Sequence, residues 1–118
     1  MINIIESNGV LVAEVESDEL LIRETQDALD VMVNCSYNGA SCIILTAKSF
    51  SPDFFDLKTG IAGDILQKFS TYNFKLAIVG DFSDIKNKSL RDFIFESNKY
   101  GRINFVISKE EAIKKLCY

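Results

Sequence analysis

Short apolar runs alternate along the chain with longer segments in which apolar residues recur at helical spacing. The short runs are rich in β-branched residues and are bounded by Gly, Asn, Asp or Ser, which is typical of β-strands. The first two runs flank Asn8-Gly9, a pair that supplies the positive φ angles of a tight hairpin turn. The pattern predicts strands over Ile2–Ile5, Val10–Val15, Cys42–Thr46, Phe74–Val79 and Ile103–Ile107.

Residues that cap helices precede each of the longer segments. A hydroxyl or carboxylate oxygen at the N-cap accepts from a free backbone N–H, and proline at the first helical position loses no hydrogen bond. The predicted helices run from Ser17-Asp18 to near Asn34, from Ser51-Pro52 to Tyr72, from Ser89 to Gly101, and from the capping box Ser108–Glu111 through Leu116.

Strands that alternate with helices indicate an α/β fold, because parallel strands need long crossover connections. The predicted order is ββαβαβαβα: a mixed, mainly parallel four- or five-stranded sheet with an N-terminal hairpin and four helices on its faces. The continuous apolar run Cys42–Thr46 is typical of a strand covered on both faces, and we expect it to lie beside Phe74–Val79 in parallel. At 118 residues the chain has the length of one domain, residues 1–118.

The central helical segment departs from the pattern of a plain helix. At about 100° per residue, Gly60 and Gly63 fall on the solvent side, where each glycine costs about 1 kcal/mol relative to alanine. Lys58 projects into the middle of the apolar arc. A break near Lys58-Thr59 explains both features, with Pro52–Leu57 as a short separate turn and Thr59 as the cap of a new helix from Gly60.

Composition narrows the possible functions. Thirteen Lys and Arg against seventeen Asp and Glu give a net charge of −4, which argues against a nucleic-acid partner because such partners bind basic surfaces. Histidine, the commonest general base and metal ligand, is absent. Cys35, Cys42 and Cys117 form neither an even disulfide set nor a CxxC metal pair, which predicts reduced thiols. We expect no cofactor and no metal.

The N-terminus and the hydropathy predict a soluble, cytoplasmic protein. Met1–Glu6 lacks the basic stretch of a signal peptide. No apolar run approaches the roughly 20 residues that a membrane helix needs, so a membrane partner is not expected either.

Candidate functional residues cluster at the predicted break and after the next strand. Lys58 is either a desolvated nucleophile or an anion ligand, or else a snorkelling or loop lysine. Asp81 is either a ligand residue at a strand end or an ordinary turn aspartate. The carboxylates Asp53, Asp56 and Asp64 complement a helix dipole more simply than they form an acid–base pair or a cation site. No catalytic residue stands out. The regulatory or ligand-binding candidates are Asp56, Lys58, Thr59, Gly60 and Asp81.

The segment Asp56-Leu57-Lys58-Thr59-Gly60 lies between a strand and an apolar helix, and it resembles a motif of anti-sigma-factor antagonists and related STAS domains. Their motif is aspartate, two small residues and glycine, with a phosphorylatable serine or threonine at the helix start. Here one extra residue separates aspartate from glycine. The segment Gly101–Ile107 before a capped helix fits the same architecture. The resemblance implies a STAS-like fold, a regulatory role and Thr59 as the modified residue.

A second resemblance rests on longer motifs: Pro-Asp-Phe-Phe-Asp-Leu-Lys-Thr-Gly at 52–60, Leu-Gln-Lys-Phe at 66–69 and Val-Gly-Asp-Phe at 79–82. On these motifs the chain is identified as a member of the bacterial domain-of-unknown-function family 4180. That resemblance implies a compact intracellular bacterial domain and transfers no activity.

Two classes of function stay open. The first is a non-enzymatic regulatory or protein-interaction module that works through the start of the central helix, where phosphorylation of Thr59 would switch partner binding. The second is a small-molecule or anion-binding domain, with or without enzymatic activity, in which Lys58, Thr59 and Asp81 line a pocket at the strand C-terminal ends. The absence of histidine and of a phosphate-cradling glycine loop favours the first.

The aromatic content also predicts a homodimer. The chain carries more aromatic side chains than one sheet and four short helices need, and surplus aromatic surface usually marks an interface. The residues concerned are Phe50, Phe54, Phe55, Phe82, Phe95 and Tyr100.

Overall fold

A five-stranded sheet with spatial order β1-β2-β3-β4-β5 organises the computed structural model, which describes residues 2–118. The first two strands pair antiparallel, and every later neighbour pairs parallel. The predicted α/β fold with a mixed, mainly parallel sheet is therefore confirmed. The strands are β1 Ile2–Ser7, β2 Val10–Val15, β3 Cys42–Thr46, β4 Lys75–Val79 and β5 Ile103–Val106.

Helices cover both faces of this sheet. One face packs against α1, α3 and α4, and the other packs against α5. Among residues 2–118, no helix combines the length and hydropathy that a bilayer crossing requires. The helices are α1 Thr25–Tyr37, α2 Pro52–Phe55, α3 Ile61–Thr71, α4 Lys88–Tyr100 and α5 Lys109–Cys117, with short 3₁₀ turns at Ala47–Ser49 and Leu57–Thr59.

Strands β3 and β5 are the most buried, with four of five residues of β3 and all four residues of β5 buried. The expectation that Phe74–Val79 is as buried as Cys42–Thr46 is wrong, because Lys75 of β4 is exposed and Val79 is half-buried. Along β3, Ile43 and Leu45 enter the core under α1 and α3, whereas Cys42 and Ile44 enter the core under α5. All of these residues are at most 3% exposed. A strand covered on both faces needs apolar residues at every position, which explains why this run does not alternate.

The opening hairpin also forms where the sequence predicts it. Asn8 and Gly9 adopt φ angles of 53° and 76°, and Ser7 pairs with Val10 across the turn. Two successive positive φ angles are the geometry of the two-residue turn that matches the twist of antiparallel strands.

The first helix begins at Thr25, so the prediction of a start after Ser17-Asp18 is wrong. The N–H groups of Leu21 and Ile22 both donate to the carbonyl oxygen of Ser49, at 2.9 and 2.8 Å. This pairing with a distant segment holds the chain extended before α1. The helical spacing of the apolar residues therefore extends further towards the N-terminus than the helix itself.

The later helix boundaries follow local signals, with one correction. Asn87, and not Ser89, caps α4, because its side chain accepts from the N–H of Leu90. Gly101 ends α4 with a φ of 82°, as predicted. The Ser108 hydroxyl accepts from a backbone N–H in the first turn of α5 at 3.1 Å, which confirms the predicted cap.

Candidate functional site

The central segment is broken near Lys58-Thr59, as predicted. The short helix α2 ends at Phe55, a 3₁₀ turn covers Leu57–Thr59, and α3 begins at Ile61. Gly60 adopts a φ of 78°, a left-handed conformation that glycine takes without steric cost. The N-cap of the new helix is therefore Gly60, one residue after the Thr59 cap that the sequence predicts.

The Thr59 hydroxyl stabilises this turn through hydrogen bonds to the backbone on both sides of the break. Its Oγ1 lies 2.7 Å from the carbonyl oxygen of Asp53 and 2.9 Å from that of Asp56, and it donates towards them. The same oxygen accepts from the N–H of Ile61 at 3.3 Å. Thr59 is exposed as a residue, but its hydroxyl is engaged on both sides of the break.

The other candidates of this turn are exposed, and their known contacts are local. Asp56 Oδ1 accepts from the backbone N–H of Lys58 at 3.2 Å, which caps the 3₁₀ turn. Lys58, Asp56 and Gly60 all face solvent. Lys58 thus leaves the apolar arc, because the break rotates it away from the core.

Asp81 sits in a different loop, directly after β4. Its Oδ1 accepts from the Ser83 hydroxyl at 2.6 Å and from the Ser83 N–H at 3.0 Å. These two hydrogen bonds hold the pKa of the exposed Asp81 carboxyl below its usual value. The contacts are those of a turn aspartate, the second of the two interpretations that the sequence allows.

The structure brings four of the five candidates together in one turn and leaves Asp81 in another. None of the five lines any of the three open cavities described below, or the narrow void inside the core beside Ile22 and Phe50. The ligand pocket predicted at the strand C-terminal ends is therefore not among these cavities.

Most of the aromatic residues that appeared surplus in the sequence pack inside the molecule. Phe50 and Phe54 are 4% and 1% exposed, with ring centroids 4.6 Å apart. Phe55 stacks at 6.4 Å from Phe82, which continues to Phe105 at 5.2 Å. This row of aromatic rings belongs to the core. Of the six residues on which the predicted homodimer rests, only Phe95 and Tyr100 remain available for an interface. The homodimer stays a prediction.

The four tyrosines of the chain share a position that the sequence analysis missed. Each one stands at the C-terminal end of a long helix: Tyr37 ends α1, Tyr72 caps α3, Tyr100 ends α4 and Tyr118 caps α5. Their exposed fractions are 87%, 59%, 85% and 78%. A signal for three of them was available, because each of these three directly precedes an asparagine or glycine that stops a helix.

These helix ends lie along one edge of the sheet, the edge at which β2–β5 begin, here called the strand-start edge. The helices α1, α3 and α4 each return the chain to the start of the next parallel strand, so they end there. For α5, the Asn8 side chain donates to the Cys117 carbonyl at 2.7 Å, and the hydroxyls of Ser7 and Tyr118 lie 3.2 Å apart. These bonds tie the end of α5 to the hairpin turn before β2.

Three open cavities border this edge, and each is lined by tyrosine. The α1–α3 groove encloses about 560 Å³ and the α3–α4 groove about 410 Å³. A third, of about 590 Å³, lies beside α5 and includes Tyr118. The α1–α3 groove is lined by Leu29, Met32, Val33, Ser36, Tyr37, Tyr72 and Phe74. The α3–α4 groove is lined by Leu66, Ser70, Phe93, Glu96, Ser97, Tyr100 and Arg102.

The cysteines are buried and unpaired. Burial raises the pKa of the Cys35 thiol to about 11, and it also raises the pKa values of Cys42 and Cys117. A protonated, inaccessible thiol is a poor nucleophile. Within residues 2–118 no group of three or more Cys, Asp or Glu side chains is arranged to hold a metal ion.

Comparison with known proteins identifies the family. A family model described as Domain of unknown function (DUF4180) matches residues 7–116. The chain therefore belongs to this family, as the motifs at 52–60, 66–69 and 79–82 predict. No curated protein and no solved structure matches the chain. The resemblance to STAS domains stays a prediction.

Proposed function

We propose that this chain, as a member of the DUF4180 family, is a non-enzymatic regulatory module that binds a partner protein through its strand-start edge. The binding surface is the side of that edge that carries the α1–α3 and α3–α4 grooves. One observation supports the proposal above the others: three of the four tyrosines, Tyr37, Tyr72 and Tyr100, line these two grooves.

Exposed tyrosine at a groove is characteristic of binding surfaces. The ring supplies a large apolar area that loses few rotamers on binding, and the hydroxyl can stay hydrated or find a partner. Tyrosine is accordingly enriched among the residues that dominate binding energy. The α1–α3 groove has no charged residue in its lining, whereas the α3–α4 groove carries Glu96 and Arg102.

The α1–α3 groove has the shape that an apolar anchor side chain needs. Met32 lies 3% exposed at its base, whereas Val33, Tyr37 and Tyr72 rise beside it with 55%, 87% and 59% of their surface exposed. Apolar surface of this kind at the end of two packed helices stays in water unless a partner covers it. Each Å² of this apolar surface that a partner covers contributes about 25 cal/mol before the entropic cost of association is subtracted.

The groove is also held in place by short connections. The Ala40 N–H donates to the Cys35 carbonyl at 3.1 Å, and the Phe74 N–H donates to the Phe69 carbonyl at 2.9 Å. These bonds fasten the ends of α1 and α3 to the starts of β3 and β4. A preformed groove does not have to order itself on binding, which lowers the free-energy cost of association.

Thr59 is the residue through which we propose regulation. It lies before the first turn of α3, and Tyr72 follows the last turn of the same helix. A phosphate on Thr59 would replace the hydroxyl donor to Asp53 and Asp56 and alter how α3 begins. A displaced α3 would change the groove that Tyr72 lines.

The proposal is tested by photo-crosslinking in native cells. A photoreactive phenylalanine analogue replaces Tyr37 at the groove or, as a matched control, Ile107, which is 63% exposed after the end of β5. We expect a discrete protein adduct from position 37 and none of the same mass from position 107. Adding Val33→Asp to the position 37 protein removes the adduct, because a carboxylate cannot enter an apolar interface without a large desolvation cost.

Two results would contradict the proposal. One is the same adducts from both positions, which indicates non-specific collision. The other is an adduct that survives Val33→Asp, which places the binding surface elsewhere. Circular dichroism and thermal unfolding of each variant establish that the fold is intact, as expected for exposed positions.

A further inference from the structure

We infer that the partner of this edge is an acidic protein segment that places an apolar side chain in the α1–α3 groove and carboxylates against Lys68 and Arg102. The inference rests on the proposed function, since it names the partner chemistry of the same surface. It is carried by the distribution of charge around the grooves.

Positive charge gathers at the strand-start edge of an otherwise acidic chain. The net charge is −4, yet the last turns of α1, α3, α4 and α5 and the links that follow α1, α3 and α4 contain no Asp or Glu. Carboxylates do line two of the three cavities: Glu96 lies in the α3–α4 groove, and Glu110 and Glu111 lie in the cavity beside α5, on the other face of the sheet. The cations of this edge are Lys68, Lys75, Lys99, Arg102, Lys114 and Lys115.

Two of these cations flank the α3 end between the grooves. Lys68 lies four residues before Tyr72, so both side chains project from the same side of α3. Arg102 Nη1 donates to the Phe74 carbonyl at 3.0 Å and to the Asn73 side-chain oxygen at 3.3 Å. This anchoring holds the guanidinium beside the groove wall, where its fork of donors suits a carboxylate.

The centre and the margin of this surface therefore favour different ligand groups. Every residue that lines the α1–α3 groove is uncharged, so a buried carboxylate there would lose its hydration without a partner. Lys68 and Arg102 stand at the margin, where a carboxylate stays partly hydrated and still gains Coulomb attraction. The matching ligand is an apolar anchor flanked by Asp or Glu.

This arrangement fits a peptide better than the other candidate occupants. A nucleic-acid strand needs a continuous cationic track for its backbone, and the uncharged α1–α3 groove interrupts any such track. A second copy docked symmetrically on this face would set the same cationic surface against itself, and like charges repel. An acidic segment needs no continuous cationic track, and the cations of this surface attract it.

The test uses random peptides displayed on phage and selected on the full chain. We expect enriched peptides to carry an aromatic or large aliphatic residue flanked by Asp or Glu. The dissociation constants of the corresponding synthetic peptides, measured by fluorescence anisotropy, should rise about tenfold on Val33→Asp and should rise with salt. Lys68→Glu should weaken binding severalfold, whereas Lys86→Glu, the same charge change in an exposed loop after β4, should not.

The experiment distinguishes failure of the acidic-partner inference from failure of the proposed binding function of the groove. If enriched peptides respond to Val33→Asp but are uncharged or basic, or if Lys68→Glu and Lys86→Glu have equal effects, the acidic partner is wrong and the groove function stands. If peptides are selected but ignore Val33→Asp, the groove itself is wrong. Lys68→Gln repeats the charge test at the same position with a smaller change, in case Lys68→Glu fails to fold.

Two competing occupants are tested in parallel. Polyuridylate that displaces the peptides from the wild-type chain but not from Val33→Asp would overturn the inference in favour of nucleic acid. A dimer mass in light scattering that Val33→Asp alone converts to a monomer would assign the face to a second copy.

Discussion

The hydroxyl of Thr59 lies 2.7 Å from the carbonyl oxygen of Asp53, a residue six positions earlier in the chain. Together with the bond to the Asp56 carbonyl at 2.9 Å, it closes the turn between α2 and α3. The break in the central helix is therefore stabilised by a side chain that belongs to the break itself.

We expect Thr59→Val to lower the free energy of unfolding by about 1 kcal/mol, because it leaves two carbonyl groups without this donor. Thr71→Val is the matched control, since Thr71 is exposed at the last position of α3. Urea denaturation of both variants measures the difference. Equal effects of the two substitutions would show that the Thr59 hydrogen bonds contribute no stability.

The proposed regulation by phosphorylation makes a separate prediction at Thr59. Thr59→Glu removes the donor and adds a negative charge beside the Asp53 and Asp56 carbonyl oxygens, so we expect it to be less stable than Thr59→Val. A switch further requires Thr59→Glu and Thr59→Ala to bind the partner in opposite ways, as seen by pull-down. If both variants keep the partner equally, Thr59 is a structural residue only.

Two glycines should respond to alanine with opposite signs. Gly63 lies in the first turn of α3 with nothing within 4 Å of an added Cβ, so Gly63→Ala should raise the free energy of unfolding by about 0.5–1 kcal/mol. At Gly80 an added Cβ would lie 2.9 Å from the Ala47 Cβ and 3.1 Å from Phe82, so Gly80→Ala should lower it by about 1–3 kcal/mol. Thermal unfolding midpoints that shift in the same direction would contradict the packing around Gly80.

Cys35 should make stability depend on pH in the alkaline range. Burial raises the pKa of this thiol from 9.0 to about 11, so the unfolded chain loses the proton first as the pH rises. The free energy of unfolding should then be at its full value below pH 9.0 and fall by roughly 2 kcal/mol on the way to about pH 11. Denaturation at several pH values checks this, and Cys35→Ala should show a shallower decline than the wild type. Equal slopes would mean that Cys35 ionises as easily when folded.

The homodimer prediction now depends on α4, where Phe95 and Tyr100 are 65% and 85% exposed. If these rings form an interface, light scattering at high micromolar concentration should give a dimer mass for the wild type. Phe95→Ser should shift that mass towards the monomer, because it removes one of the two exposed rings. A monomer mass for the wild type would contradict the dimer.

Some of the candidate site could be predicted from the sequence and some could not. Asp56, Lys58, Thr59 and Gly60 fall in one exposed turn as expected, because consecutive residues at a helix break cannot lie far apart. Asp81 lies in a different loop, after β4, where its carboxylate accepts hydrogen bonds from Ser83. The tyrosine edge was missed because its members, Tyr37, Tyr72, Tyr100 and Tyr118, are far apart in the chain and only the parallel strand arrangement brings them to one edge.

The sequence by itself determined the features that neighbouring residues control. Asn8-Gly9 makes the hairpin turn, Ser108 caps α5 and Gly101 ends α4, because backbone dihedral preferences and nearby hydrogen bonds act within a few residues. Only the tertiary structure decided the late start of α1, where Leu21 and Ile22 pair with Ser49 across more than twenty residues. It also decided that the helix ends with their tyrosines share one edge of the sheet, because the parallel strands bring the chain back to the same edge after each helix.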